Sequence, residues 1–197
     1  MKLLLTGATG SLGTALTRRL LAENLAEKIV LYSREEVKQA RMAEEFGSDP
    51  RLRFFLGDVR DERRIHEALS RVDTIAHCAA LKRVDAISHD LGELFKTNVD
   101  GTMNVVRAAI QRGVPRVLML SSDKACAPST SYGVSKLAAE MYATQANALG
   151  YPSTRISAVR YGNVLGSRGS VVHVWRRQLA RGELLTLTDE RMTRFWI

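Results

Sequence analysis

Tyr132 and Lys136 lie four residues apart in the stretch LMLSSDKACAPSTSYGVSKLAAE, Leu118 to Glu140. On a helix that spacing puts two side chains on one face. An ammonium beside a phenol stabilises the phenolate and lowers the tyrosine pKa from its usual value of about 10. Tyr132 is therefore a candidate proton acceptor near neutral pH. The same pair also occurs as a plain solvated helix face. What distinguishes it here is the cluster just upstream, where an apolar run ends in Ser121, Ser122, Asp123 and Lys124. A loop broken by Pro128 follows, and the helix opens near Tyr132 and Gly133.

These groups need elements to hold them. Lys2 to Leu5 reads as a strand that runs into TGATGSLG and then into a helical pattern through Leu16, Leu20 and Leu21. Gly7, Gly10 and Gly13 have the spacing of a turn that lets backbone approach a pyrophosphate and packs the helix tightly on the sheet. Thr9, Ser11 and Leu12 complete that candidate cofactor loop, whose phosphates would meet the helix N-terminus. The second strand, Lys28 to Tyr32, ends in Ser33 and Arg34, where this fold meets an adenosine ribose. No acid stands there before Glu35, and Arg34 with Lys38 one turn on could clamp a 2′-phosphate, which favours NADP over NAD. Arg34 could equally start a charged surface helix running to Phe46.

The third strand, Arg51 to Leu56, leads to Asp58 and Val59. Asp58 could meet an adenine amino group with Val59 against the ring, or it could cap the helix Arg60 to Leu69. The fourth, Thr74 to His77, leads to Ala79 and Ala80, small enough to lie against a cofactor, and to Lys82, which could meet a substrate phosphate. His77 itself should pack in the strand. A helix from about Leu91 to Arg112 carries Asn98, a poor helix former suited to bonding backbone at a bend. The fifth strand, Arg116 to Leu120, delivers the Ser/Asp/Lys cluster, and the sixth, Thr154 to Arg160, runs into Tyr161, Gly162, Asn163 and Val164. The loop GSRGSVV, a helix from about Val172 to Arg181 and a short strand Leu184 to Leu187 complete the chain. Strands alternating with helices predict an α/β protein, a Rossmann-type doubly wound parallel sheet flanked by helices, with ligands at the C-terminal strand ends.

At 197 residues and 45% hydrophobic content, one sizeable core is possible. The net charge of +8 is spread over many segments without a basic block interleaved with aromatics, so an anionic small substrate explains it better than nucleic acid. Cys78 and Cys126 form no C-x-x-C pair and are expected as buried thiols. The histidines show no ligand spacing, and no metal is expected. Met1 leads straight into a strand, leaving no room for a signal peptide, and no apolar run approaches a membrane span, so a cytoplasmic protein without a membrane partner is expected. Phe195, Trp196 and Ile197 form an apolar terminal cluster of the kind that further chain would cover, so a truncated chain is expected.

TGATGSLG together with Tyr132 and Lys136 resembles the extended short-chain dehydrogenase/reductase superfamily. YSREEVKQ, GDVRDERR, HCAALKRVD, TNVDGTMNV, SSDKACAPSTSYGVSK, VRYGNVLGSRGSV and TDERMTRFWI look more narrowly like the C5-inverting UDP-N-acetylglucosamine 4,6-dehydratases of the polysaccharide-biosynthesis family. The resemblance runs along the whole chain, and the Asp-Lys pair before Tyr-x-x-x-Lys is its most specific part. It implies an NAD(P)-binding Rossmann domain over 1–197, with 162–197 opening a substrate-binding part whose remainder is absent. It implies a UDP-N-acetylhexosamine substrate and a homo-oligomer.

By the same resemblance Tyr132, assisted by Lys136, takes the proton of the sugar's 4-hydroxyl while C4 is oxidised by NADP. Lys124 then removes the C5 proton and Asp123 protonates the departing 6-hydroxyl. A lysine base needs desolvation or cationic neighbours to be neutral at working pH. Ser122 would stand near O4, Lys82 and Asn163 would contact substrate, Val164 would line the cofactor, and Arg194 is a candidate for the same pocket. Related membrane-bound dehydratases lack the tyrosine, so Tyr132 points to the soluble inverting branch. CAPSTS departs from the asparagine-containing loop usual before it. Two other readings stand beside this one. A nucleotide-sugar epimerase or reductase needs only Tyr132, Lys136 and cofactor, and a catalytically silent NADP-binding module needs neither side chain.

Overall fold

The computed structural model describes residues 1–82, 90–149, 153–167 and 169–197. Arg83, Val84 and Asp85 of the HCAALKRVD motif and Arg168 of the GSRGSVV loop lie outside the described residues.

Six apolar runs become parallel strands: β1 Lys2–Thr6, β2 Lys28–Ser33, β3 Leu52–Leu56, β4 Thr74–His77, β5 Arg116–Leu120 and β6 Arg155–Val159. They form one sheet in the order β3-β2-β1-β4-β5-β6. Successive side chains of a strand point to opposite faces, and β1 shows the result. Leu4 packs with Val30, Tyr32, Ile75 and Met119 in one core, whereas Leu3 and Leu5 pack with Ile29 and Leu31 in the other. The helices α1 Ser11–Ala22 and α2 Glu36–Phe46 cover the second face through Leu20 and Met42. The first is covered by α3 Glu62–Ala68, α5 Gly101–Gln111 and α6 Ser131–Gln145, through Ile65, Val105, Val106 and Ala139. The sheet is a doubly wound Rossmann-type α/β fold. The strands stay parallel, but the order in which they are added switches from one side of β1 to the other between β3 and β4, which opens a crevice at the carboxyl ends of β1 and β4.

Four expectations need correction. The helix expected from Leu91 to Arg112 is broken: α4 Leu91–Phe95 and α5 flank a π-turn, Lys96–Asp100. Asp58 does not cap α3; a turn closed by Asp61 N–H to the Asp58 carbonyl (3.0 Å) moves the helix start, and Asp61 accepts the cap bond from Arg64 N–H. No strand forms at Leu184 to Leu187, where no neighbouring strand offers a ladder. Thr186 is tied back instead to the helix α7 Val171–Ala180, accepting from the Trp175 indole at 2.8 Å. Cys126 is exposed, because its loop runs along the surface, and Cys78 is half-buried.

The chain divides into two compact units, Met1–Arg160 and Tyr161–Ile197. The first holds the sheet. In the second, Asn163 and Leu165 bond the backbone of Phe195 and Ile197, and a Cβ on Gly162 would stand 2.5 Å from the Phe195 carbonyl oxygen. Phe195, Trp196 and Ile197 are exposed. Among the described residues, no helix is long and apolar enough to cross a membrane.

Candidate active site

The glycine loop is shaped by what surrounds it. Gly7 has φ +64°, and a Cβ there would lie 2.8 Å from the Ala79 nitrogen, so only glycine lets β1's end lie this close to β4's. A Cβ on Gly13 would lie 2.3 Å from the Ala8 carbonyl oxygen, so that glycine seats α1 against the loop. Gly10 donates to the Gly7 carbonyl at 2.9 Å and begins α1 without any side-chain cap. A helix start leaves several N–H groups without intrahelical partners. Thr9 is buried, Ser11 half-buried and Leu12 exposed. The result is a narrow backbone cradle that fits a dinucleotide phosphate.

Behind the cradle runs a directed hydrogen-bond chain. The Thr6 hydroxyl accepts from the backbone N–H groups of Cys78 (3.1 Å) and Ala79 (3.2 Å), leaving its own proton for His77 Nδ1 at 2.7 Å. His77 Nε2 then donates to Thr102, whose hydroxyl donates to the Asn98 carbonyl at 2.7 Å. Burial, aided by the charge of Lys136, pushes the imidazole pKa down to about 3, so His77 is neutral. His77 thus packs in its strand as expected, and it also ties the cofactor loop to the π-turn.

At the end of β2, Ser33 is buried and its hydroxyl is held by the Gln39 amide at 2.9 Å. Arg34 lies 3.7 Å from Asp58, and Lys38 is paired with Glu35. Asp58 is bonded to Arg60 through backbone and side chain. Burial raises the Asp58 carboxyl, but the Arg60 bonds outweigh it and hold the carboxyl below its usual range. Val59 is buried, Ala79 half-buried and Ala80 exposed beyond β4.

The residues expected to handle protons come from two elements. Ser122, buried, caps a 3-10 turn, Asp123–Ala125, and donates to Asp123 Oδ1 at 3.0 Å. Lys124 donates to the same oxygen at 3.0 Å, and its side chain is 42% exposed. Burial raises the Asp123 carboxyl, yet the bonds from Lys124 and Ser122 prevail and hold it below the usual carboxylate range. The turn packs closely on α6 at Gly133, where a Cβ would sit 2.3 Å from the Lys124 carbonyl oxygen. Thr130 caps α6 by accepting from Gly133 N–H at 3.1 Å. Tyr132 and Lys136 both lie on the buried face of α6. Lys136 Nζ donates to the Leu120 carbonyl at 2.5 Å, and burial pushes its pKa down to about 8 against the opposing pull of Cys78 and Glu140. Burial likewise pushes the Cys78 thiol up to about 12.

Asn98 bonds backbone at a bend, as expected, and does more. Its amide brackets Leu81, accepting from the N–H at 2.8 Å and donating to the carbonyl at 2.9 Å. It also donates to Ser135, whose hydroxyl donates to the Tyr132 carbonyl. Lys82, exposed, follows that bracketed residue. Asn163, Val164 and Arg194 belong to the second unit, where Asn163 bridges to Trp196 and Arg194 is exposed. Sequence reasoning missed Glu140, Arg160, Thr6 and Thr102; of these only Glu140, one turn past Lys136, had a signal in its spacing. Among the described residues no cluster of His, Cys, Asp or Glu could hold a metal ion.

A doubly wound sheet with a glycine-rich first turn, and with Tyr and Lys on the helix after β5, defines the class. Within it, residues 3–197 match the family model described as polysaccharide biosynthesis protein, and the chain belongs to that family. Over 197 residues it is 45% identical to the UDP-N-acetylglucosamine 4,6-dehydratase (inverting) of Campylobacter jejuni serotype O:23/36, covering 99% of this chain and 59% of that protein. It is 40% identical to the UDP-glucose 4-epimerase of Rickettsia conorii, covering 98% of this chain and 58% of the epimerase. DesIV, a dTDP-glucose 4,6-dehydratase from Streptomyces venezuelae solved with NAD bound, matches all of this chain and 68% of its own at TM-score 0.87 and 27% identity. The chain therefore spans 59% of the length of the dehydratase it matches.

Proposed function

We propose that this chain carries the cofactor-binding and proton-handling part of a UDP-N-acetylhexosamine 4,6-dehydratase that inverts C5. The observation that carries this reading is the seating of the Asp123–Lys124 turn on Gly133 of the helix that bears Tyr132 and Lys136. An epimerase requires only the second half of that arrangement. The 45% identity to the dehydratase supports it.

The cradle of Gly7, Gly10 and Gly13 with Thr9, Ser11 and Leu12 would hold a nicotinamide dinucleotide, with Val59, Ala79 and Ala80 along it. Arg34 and Lys38, released from Asp58 and Glu35, would receive a 2′-phosphate, and this favours NADP. When bound, the nicotinamide supplies the hydride acceptor and donor. Tyr132 takes the proton of the 4-hydroxyl, with Ser122 bonded to that oxygen, and the charge of Lys136 supports the phenolate.

Lys124 and Asp123 carry the elimination. As an ion pair they hold the wrong protonation for it, since the base is charged and the acid ionised. One proton moved along their 3.0 Å hydrogen bond makes an amine base and a carboxylic acid together. Substrate that excludes water favours the neutral pair, because charges lose more than neutral groups on desolvation. The amine then takes the C5 proton, the acid protonates the leaving 6-hydroxyl, and water departs. Lys82, Asn163 and Arg194 would hold the nucleotide sugar, and residues 162–197 would open its binding part. The protein would act free of membrane, in the cytoplasm, as a homo-oligomer.

The test is incubation of the purified chain with UDP-N-acetylglucosamine and catalytic NADP⁺, followed by mass spectrometry and NMR. Loss of one water with inversion at C5 is expected. Formation of a C4 epimer alone would move the assignment to the epimerase reading, which the 40% identity to a UDP-glucose 4-epimerase favours second. NADP⁺ binding without turnover would overturn both for this chain.

A further inference from the structure

Glu140 lies one helical turn beyond Lys136 on α6, and its side chain is 15% exposed. Both its oxygens are taken by Arg160, Nη2 at 2.7 Å and Nε at 3.0 Å, the two-pronged geometry that fixes orientation as well as distance. Arg160 directly follows β6, whose Val159 carbonyl accepts from Ser121 N–H at 2.7 Å at the end of β5. The remaining prong of the guanidinium, Nη1, donates to Cys126 Sγ at 3.1 Å, in the loop just after the Asp123–Ala125 turn. One cation thus touches the helix of Tyr132 and Lys136, the end of β6 and the loop of Asp123 and Lys124. An ion pair of no consequence would be exposed at both ends and bridge nothing.

We propose that Glu140 and Arg160 form a positioning pair that registers the Asp123–Lys124 turn against α6 and sets the electrostatic field at the ammonium of Lys136. The proposal rests on the reading of Lys136 as partner of Tyr132, which the dehydratase and epimerase readings share. The groups acting on Lys136 are Cys78 beyond β4, His77 in β4 and Glu140 on its own helix, with the Leu120 carbonyl accepting its proton. Burial disfavours the charged lysine, and the Glu140 carboxylate opposes that. Arg160 damps the carboxylate and in doing so keeps it ionised, below the usual carboxylate range. The two members therefore act on Lys136 with opposite signs.

That sign difference is the test. In protein labelled with ¹⁵N-lysine, the Lys136 ammonium is followed by NMR through its titration and identified by its loss in Lys136→Met. Glu140→Gln should lower the midpoint, and Arg160→Gln should raise it, each by on the order of half a unit or more. The alkaline limb of kcat/KM should move with each midpoint. Arg160→Lys, which keeps the charge but not the fork, should restore the midpoint while leaving kcat reduced. Shifts of one sign in both glutamine variants, or no shift in either while unfolding stays cooperative, would overturn the proposal. If Glu140→Gln does not fold, Arg160→Gln decides alone: a raised midpoint upholds the proposal and an unmoved one sinks it. The titration needs neither substrate nor cofactor, so a wild-type chain without turnover sinks the dehydratase reading and leaves this one intact.

Discussion

Lys136 and Lys124 sit one loop apart and meet opposite surroundings. Lys136 is buried, bonded to a backbone carbonyl and pushed down to about 8 by loss of water. Lys124 is partly exposed and bonded to a carboxylate. A lysine meant as a fixed charge beside a phenol is best placed where nothing can move it, and the dry face of α6 does that. A lysine meant to give up and take back a proton gains from a partner that can hold the proton meanwhile, and Asp123 is such a partner. In the proposed reaction, one residue type would serve two kinds of acid-base chemistry according to which neighbour it is given.

The largest effect that could break this contrast comes from Lys124→Arg. Arginine keeps the ion pair with Asp123 but does not release its proton, so water loss should fall about 10³-fold or more, with oxidation at C4 retained as reduced nicotinamide absorbance. Dehydration that persists would make the pair structural. Gly133→Ala comes next. The new Cβ would strike the Lys124 carbonyl, separating turn and helix, and should cost about 2–3 kcal/mol in urea denaturation together with most of the turnover.

The buried region has its own pH signature. His77 has a folded pKa of about 3 against an unfolded value of about 6.5. Between those values the unfolded chain binds a proton that the folded chain refuses, so stability is full above about pH 6.5 and declines as pH falls toward 3. Thermal unfolding at a series of pH values should show the decline, and His77→Gln should flatten it. The smallest effect concerns the loop between the two lysines. Ala127 has φ +43°, a left-handed conformation that costs alanine about 1 kcal/mol. Ala127→Gly should raise the melting temperature by a few degrees, and an unchanged value would show that the loop carries no such strain.

The sheet was legible because each strand is a short apolar run with a turn signal behind it, and the glycine spacing marked the cradle. The Asp-Lys and Tyr-x-x-x-Lys pairs were legible as chemistry because their residue types are unusual together at a strand end. Leu184 to Leu187 misled because a short apolar run alone does not supply a neighbouring strand. Asp58 and Asp61 are equally good caps on paper, and only the turn between them decides. The bend at Asn98 could be anticipated from its low helix propensity, but not the extra residue of the π-turn, which is set by the bonds to Leu81 and Ser135. The Glu140–Arg160 pair was invisible, since one partner rides a helix and the other ends a strand that only the fold brings alongside.

The strand order has a consequence for biosynthesis. β1 is made before its neighbours yet becomes a central strand, flanked by β2 and later by β4. Once residue 56 has left the ribosome, β3-β2-β1 can assemble with α1 and α2 on one face, but the other edge of β1 stays open until β4 arrives. That edge is a free template for stray pairing during translation. Ala79, the far wall of the glycine loop, is made with the strand that closes it. The nascent chain therefore completes its nucleotide cradle and seals its exposed edge in one event, before the helix of Tyr132 and Lys136 exists.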